Sequence, residues 1–203
     1  MAPPPRSSVP QQLGAQTVEV LAELRFTAAE IRALADEAHH HHRHGVISRA
    51  NWSRPAMKED FYVKPGDSVT FAKTVGETDI YLFAGITGDF AVNHVNEQYM
   101  ARSKYGRRIA HGVLVLGFAS TCSSMMIEKC HGTAGDETAV SLGYDKVRFL
   151  GAVFIGDTLT LTYTIVEVDP IKRRSRSDIK VVNQKGELVA VAQHILAWVK
   201  DQA

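Results

Sequence analysis

Residues Val113 to Lys129 constrain this chain more than any other stretch. They are apolar on nearly every side, with the small residues Gly117, Ala119, Ser120 and Ser123 set among Leu114, Val115, Leu116, Phe118, Met125 and Met126. A helix of this kind has no polar face to offer water, so it must be surrounded by protein rather than laid on a surface. It is no membrane span, because Ser120, Thr121, Ser123 and Ser124 break it well short of 18 apolar residues.

The fold must therefore supply something to enclose that helix. Four strand-like segments follow it, at about 138–149, 158–168, 176–183 and 187–199. In the second, Leu159, Leu161, Tyr163 and Ile165 alternate with Thr158, Thr160, Thr162 and Thr164, which puts one apolar face on a strand. Asn183 to Gly186 reads as a hairpin turn between the last two. One buried helix followed by an antiparallel meander is an α+β pattern. There is no βαβ alternation, glycine-rich phosphate loop or internal repeat.

Upstream the pattern is less uniform. Residues 1–16, rich in Pro, Ser and Gln, read as a disordered leader, and 17–26 suit either strand or helix. Thr27 and Glu30 form a capping box for a short amphipathic helix carrying Ile31, Leu34, Ala35 and Ala38. The histidines at 39–42 and 44 suit either a metal or a solvated linker, and no metal site is assigned to them. Residues 1–62 form an N-terminal extension in this reading, and the compact domain is 63–203. Val69 and Phe71 mark a strand; Glu77 to Ile86 is a helix that Gly85 or Gly88 stops. Asp89 to Asn96 is then loop, and Asn96 caps a further helix through Lys104, closed by Gly106.

With 203 residues, 45% hydrophobic and 22% charged, the chain can bury a core without metals or disulfides. A net charge of +1 with no basic run gives no electrostatic case for nucleic acid. Cys122 and Cys130, eight residues apart on one helix, are about 12 Å apart along its axis, too far for a disulfide. Free thiols and the lack of a secretory h-region make the cytoplasm the default compartment, an organelle address remaining open.

The residues that carry chemistry lie just before the buried helix. Asp89 and His94 are five apart on the expected loop, and His111 and Gly112 open the helix 17 positions further on. An ionised carboxylate and an imidazole that titrates near neutrality can hold one water and move protons both ways. Gly112 has no side chain, so a carbonyl oxygen can approach the free N–H groups of the helix start, where the dipole favours negative charge. Ser120, two turns on, either orients substrate or bonds back to the preceding turn.

The set Asp89, His94, His111-Gly112 and Ser120 resembles the hydratase motif of the MaoC-like branch of hot-dog proteins, which includes the (R)-specific enoyl-CoA hydratases. The likeness runs over about residues 64–199, including RFLGAVFIGDTLTL from Arg148 to Leu161. It implies a single hot-dog domain, an antiparallel sheet wrapped around a long central helix, dimerised with a thioester tunnel at the subunit interface. By the same resemblance Asp89 and His94 are the catalytic dyad and Gly112 the oxyanion donor, with His111, Val113 and Ser120 contacting substrate. No cofactor and no metal are implied. Where the family often reads Asp-x-Asn-Pro-x-His, Ala91 and Val92 stand here instead, with Asn93 beside the histidine.

Three functions follow as expectations. The first is reversible hydration of a 2-enoyl thioester, on CoA or an acyl-carrier protein, by a homodimer with no nucleic-acid or membrane partner. The others are thioester hydrolysis and non-catalytic binding of acyl thioesters, the last suggested by Ala91 and Val92. Lys104, Arg107, Arg108, Lys146 and Arg148 are candidates for CoA phosphates, against the alternative of a solvated face.

Overall fold

A computed structural model of the chain describes residues 61–130 and 137–201. The expected leader, the Thr27–Ala38 helix and the histidine cluster lie outside the described residues. Five strands, β1 (Ser68–Thr74), β2 (Glu137–Phe149), β3 (Thr158–Asp169), β4 (Arg174–Val182) and β5 (Leu188–Lys200), form one antiparallel sheet in the order β1-β3-β4-β5-β2. Among the described residues four helices precede β2: α1 (Glu77–Thr87), α2 (Val92–Val95), α3 (Glu97–Met100) and α4 (Gly112–Lys129). Helix α4 packs on β1, β3 and β5.

The threonine alternation sets the sheet's inner face. Leu159, Leu161, Tyr163 and Ile165 are buried on β3, and Ser175, Ser177, Ile179 and Val181 on β4. From α4, Val115, Phe118, Ala119, Cys122 and Met126 close the same core. The remaining stripe of α4, comprising Val113, Gly117, Ser120, Thr121, Ser124 and Glu128, is exposed. The core-facing side of α4 is enclosed as expected, while among the described residues nothing covers this stripe. Small and apolar residues at these positions look alike in the sequence whether another surface covers them or not.

Two further expectations shift at the short helices. Residues 92–95 form a helical turn where loop was expected, and α3 ends at Met100 rather than at Lys104. Asn96 does cap α3, accepting the Tyr99 N–H at 2.9 Å. Ser103 then donates its hydroxyl to the Met100 carbonyl (2.7 Å), and Gly106 turns at φ 70, which ends helical propagation. Gly88 (φ 78) closes α1 in the left-handed conformation by donating its N–H to Ala84. No helix among the described residues is long and apolar enough to cross a membrane. Cys122 and Cys130 are not joined by a disulfide.

One polar group is locked inside this core. His194 of β5 is fully buried, with Nε2 2.7 Å from the Ser141 hydroxyl, Nδ1 2.8 Å from the Tyr163 hydroxyl, and the Tyr144 ring stacked on it at 4.5 Å. Burial pushes its pKa down to about 4, and pushes that of Tyr163 up to about 12. A histidine held neutral in the folded state stabilises it fully above the unfolded value near 6.5, and this is lost as pH falls towards 4. Each tenfold difference in proton affinity between the folded and unfolded chain is worth about 1.4 kcal/mol, so roughly 3 kcal/mol of stability should disappear across that window. Denaturant unfolding of wild type from pH 7 to pH 4.5 should show the fall, and a folded His194→Asn variant should lack most of it.

Candidate active site

The chain leaves α1 at Gly88 and turns at once through Asp89. The Asp89 N–H reaches the Thr87 hydroxyl at 3.3 Å, while Asp89 Oδ1 accepts the Ala91 N–H at 3.2 Å. That local turn starts α2, which carries His94 inward: His94 is 8% exposed, whereas the Asp89 side chain is 50% exposed. The carboxylate thus lies on the solvent side of this segment and the imidazole on its core side.

Four consecutive residues, Arg108 to His111, receive this turn. The guanidinium of Arg108 meets Glu77 Oε1 at 2.6 Å, the Tyr81 hydroxyl at 2.9 Å and Glu97 Oε2 at 2.8 Å. Ile109 donates its N–H to the Asn93 carbonyl (3.1 Å), and its own carbonyl accepts from His94 Nδ1 at 2.7 Å. Ala110 donates to the Val153 carbonyl at 2.7 Å. His111, 2% exposed, donates from Nε2 to the Asp89 carbonyl at 3.0 Å.

These bonds define the chemistry of His94. With Nδ1–H given to Ile109, the neutral ring keeps its lone pair on Nε2, the nitrogen 3.1 Å from the Asn93 amide. An amide suits both protonation states, offering N–H to the neutral ring or, turned over, its oxygen to the protonated one. The second ring is arranged differently. His111 Nδ1 is buried without a hydrogen-bond partner, and the His94 and His111 rings stack with centroids 3.7 Å apart and planes 27° apart. The Phe83 ring lies 4.8 Å from His111 on another side.

One carboxylate oxygen of Asp89 and one ring nitrogen each of His94 and His111 fall within 4.8 Å of one another. A metal needs in-plane lone pairs that converge on a point. Stacked imidazoles direct their lone pairs side by side, so the arrangement does not suit a metal centre.

Helix α4 begins next to this group. Its first backbone bond runs from the Val115 N–H to the His111 carbonyl, so the N–H groups of Gly112, Val113 and Leu114 precede the helical ladder. Gly112 is needed here for space: a Cβ on it would lie 2.7 Å from two ring atoms of Phe149. Val113 is exposed at the same end. Ser120 stands eight residues on, about 12 Å along the axis, on the exposed stripe. Its carbonyl accepts the hydroxyls of Ser123 and Ser124 at 2.9 and 3.3 Å.

Similarity to known proteins bears on the family and the fold. A sequence model described as the MaoC like domain matches residues 56–190. The chain belongs to the MaoC-like family. Over 111 residues, 55% of this chain and 72% of the relative, it is 38% identical to a Rhodospirillum rubrum protein named (R)-specific enoyl-CoA hydratase. Over 104 residues it is 31% identical to the 3-hydroxybutyryl-CoA dehydratase of Methylorubrum extorquens, covering 51% of this chain and 61% of that protein. Among solved structures, the unliganded R-hydratase PhaJ1 from Pseudomonas aeruginosa matches with TM-score 0.59 and 26% identity, covering 70% of this chain and 86% of that one. The fold is the hot-dog fold.

Within this MaoC-like domain, several contributors leave no mark in the sequence. Ile109 and Phe149 bear on the site only through contacts made across the fold, and no local pattern singles them out; Asn93 bears on it through its sequence neighbour His94. Arg108, a candidate for CoA phosphates on sequence grounds, is engaged by two acids and a phenol, and Arg107 lies over the Phe154 ring at 4.1 Å. The Gly112 contact is directly testable. Gly112→Ala should destabilise the fold by about 1–3 kcal/mol through overpacking. Phe149→Ala in the same chain should recover much of that loss, read as a coupling energy in a double-mutant cycle of thermal unfolding; strictly additive effects would mean that the two side chains do not meet.

Proposed function

We propose that this chain catalyses reversible addition of water to a 2-enoyl thioester, giving the 3-hydroxyacyl thioester, with Asp89 and His94 as the acid–base pair. The observation that carries the reading is the meeting of the Asp89 carboxylate with His94 beside the first turn of α4. Hydration and dehydration of CoA thioesters is also what the names of its MaoC-like relatives describe.

In the hydration direction the enoyl thioester lies with its carbonyl oxygen at the Gly112 N–H. Asp89 and the Nε2 lone pair of His94 hold the water, with Asn93 giving way to it. As the water oxygen bonds to C3, negative charge moves onto the thioester oxygen, where the helix N-terminus stabilises it. The proton that leaves the water is carried by the Asp89–His94 pair and returned to C2, so the adduct is neutral and the pair is regenerated. Val113 and His111 line the approach to the carbonyl in this reading, and Ser120 contacts substrate further along α4.

The acting species is a homodimer. Strand β2 is a 13-residue sheet edge, and the open stripe of α4 together with exposed Leu142 and Phe149 gives a second copy something to cover. A reducing compartment such as the cytoplasm suits cysteines that form no disulfide.

Purified protein mixed with crotonyl-CoA should remove the enoyl absorbance without releasing free thiol. Asp89→Asn and His94→Ala should each lower kcat by about 10²–10⁴. Activity retained in both variants would end the proposal, and thiol release in its place would make the enzyme a thioesterase.

A further inference from the structure

We propose that Arg108 is the positioning residue of this site: its guanidinium ties α1 to α3 and so sets where Ile109 presents its backbone to Asn93 and His94. Both Asp89 and His94 lie on residues 88–96, the segment between those two helices. Arg108 grips that segment from both ends. Glu77 and Tyr81 lie one turn apart on α1, and Glu97 is the first residue of α3.

Three features separate this contact from an ordinary surface ion pair, which contributes little. The Arg108 side chain is only 12% exposed, and three of its nitrogens each have a different partner. The acids it holds would repel each other without it, and Arg108 keeps the Glu97 carboxyl below the usual carboxylate range. Finally, the next residue is Ile109. The rigid peptide unit from Arg108 to Ile109 carries the N–H that bonds Asn93, and the Ile109 carbonyl fixes His94 Nδ1–H. A shift of the arginine backbone is therefore passed to the base. Displacements of about 1 Å near a reacting centre cost on the order of 10² in rate.

Lysine cannot replace this fork. Its ammonium is a single point charge that lacks the planar set of donors reaching three acceptors on two helices.

The test measures the ring and the rate separately. In full-length protein with ¹⁵N-labelled histidine, wild type should show the His94 Nδ1–H tautomer, its proton protected by the Ile109 carbonyl. Arg108→Lys, checked for folding by circular dichroism, should lose that protection and lose about 10²-fold in kcat on crotonyl-CoA with KM little changed. Glu97→Ala, which leaves the guanidinium on Glu77 and Tyr81, cuts only the α3 arm; it should move both readouts the same way by less, and stands in if Arg108→Lys does not fold. A folded variant with wild-type kcat overturns the proposal, as does a loss of rate with the His94 signal unchanged. The kinetic arm rests on the hydratase reading, but the spectroscopic arm does not. An inactive wild type whose His94 signal still depends on Arg108 would refute hydration and leave the positioning role standing.

Discussion

The hydrogen bond from His94 Nδ1 to the Ile109 carbonyl is the contact on which the rest of the site depends. It decides the tautomer of the imidazole, and therefore which nitrogen is free to take a proton. It also joins two segments separated by 15 residues at the point where the chain is about to enter α4. The neighbouring bonds extend the same function. Ala110 anchors the crossing to residue 153, and His111 holds the Asp89 backbone, so acid, base and helix start share one short scaffold.

That scaffold is effective because of what lies beneath it. The apolar face of α4 on β1, β3 and β5 fixes the helix axis, and the first turn of α4 inherits that rigidity. Chemistry at a helix N-terminus requires donors that do not reorganise when charge develops. At Gly112 the Phe149 ring fills the place a Cβ would take, and any side chain there would have to displace that ring.

Much of this fold was legible in the sequence because its signals are local. Threonine–aliphatic alternation identified β3, the long apolar run identified α4, and the turn from Asn183 to Gly186 identified the last hairpin. Asp89, His94 and Gly112 stood out for a different reason: their residue types and order resemble a family motif, and the structure brings Asp89 and His94 within 4.8 Å of each other. What could not be read was non-local. The helical turn at Val92–Val95 is held in part by the Ile109 bond to Asn93, and the destination of Arg108 depends on acids 11 and 31 residues away. The same limit applies to the exposed stripe of α4, since hydropathy reports that a face is apolar or small but not what covers it.

A crystal structure of the protein with a 3-hydroxybutyryl or crotonyl thioester bound would test the proposed chemistry most directly. The thioester oxygen should lie about 3 Å from the Gly112 N–H, with C2 and C3 facing the space between the Asp89 carboxylate and His94 Nε2. A thioester seated elsewhere, or one whose reacting carbons face away from both side chains, would contradict it.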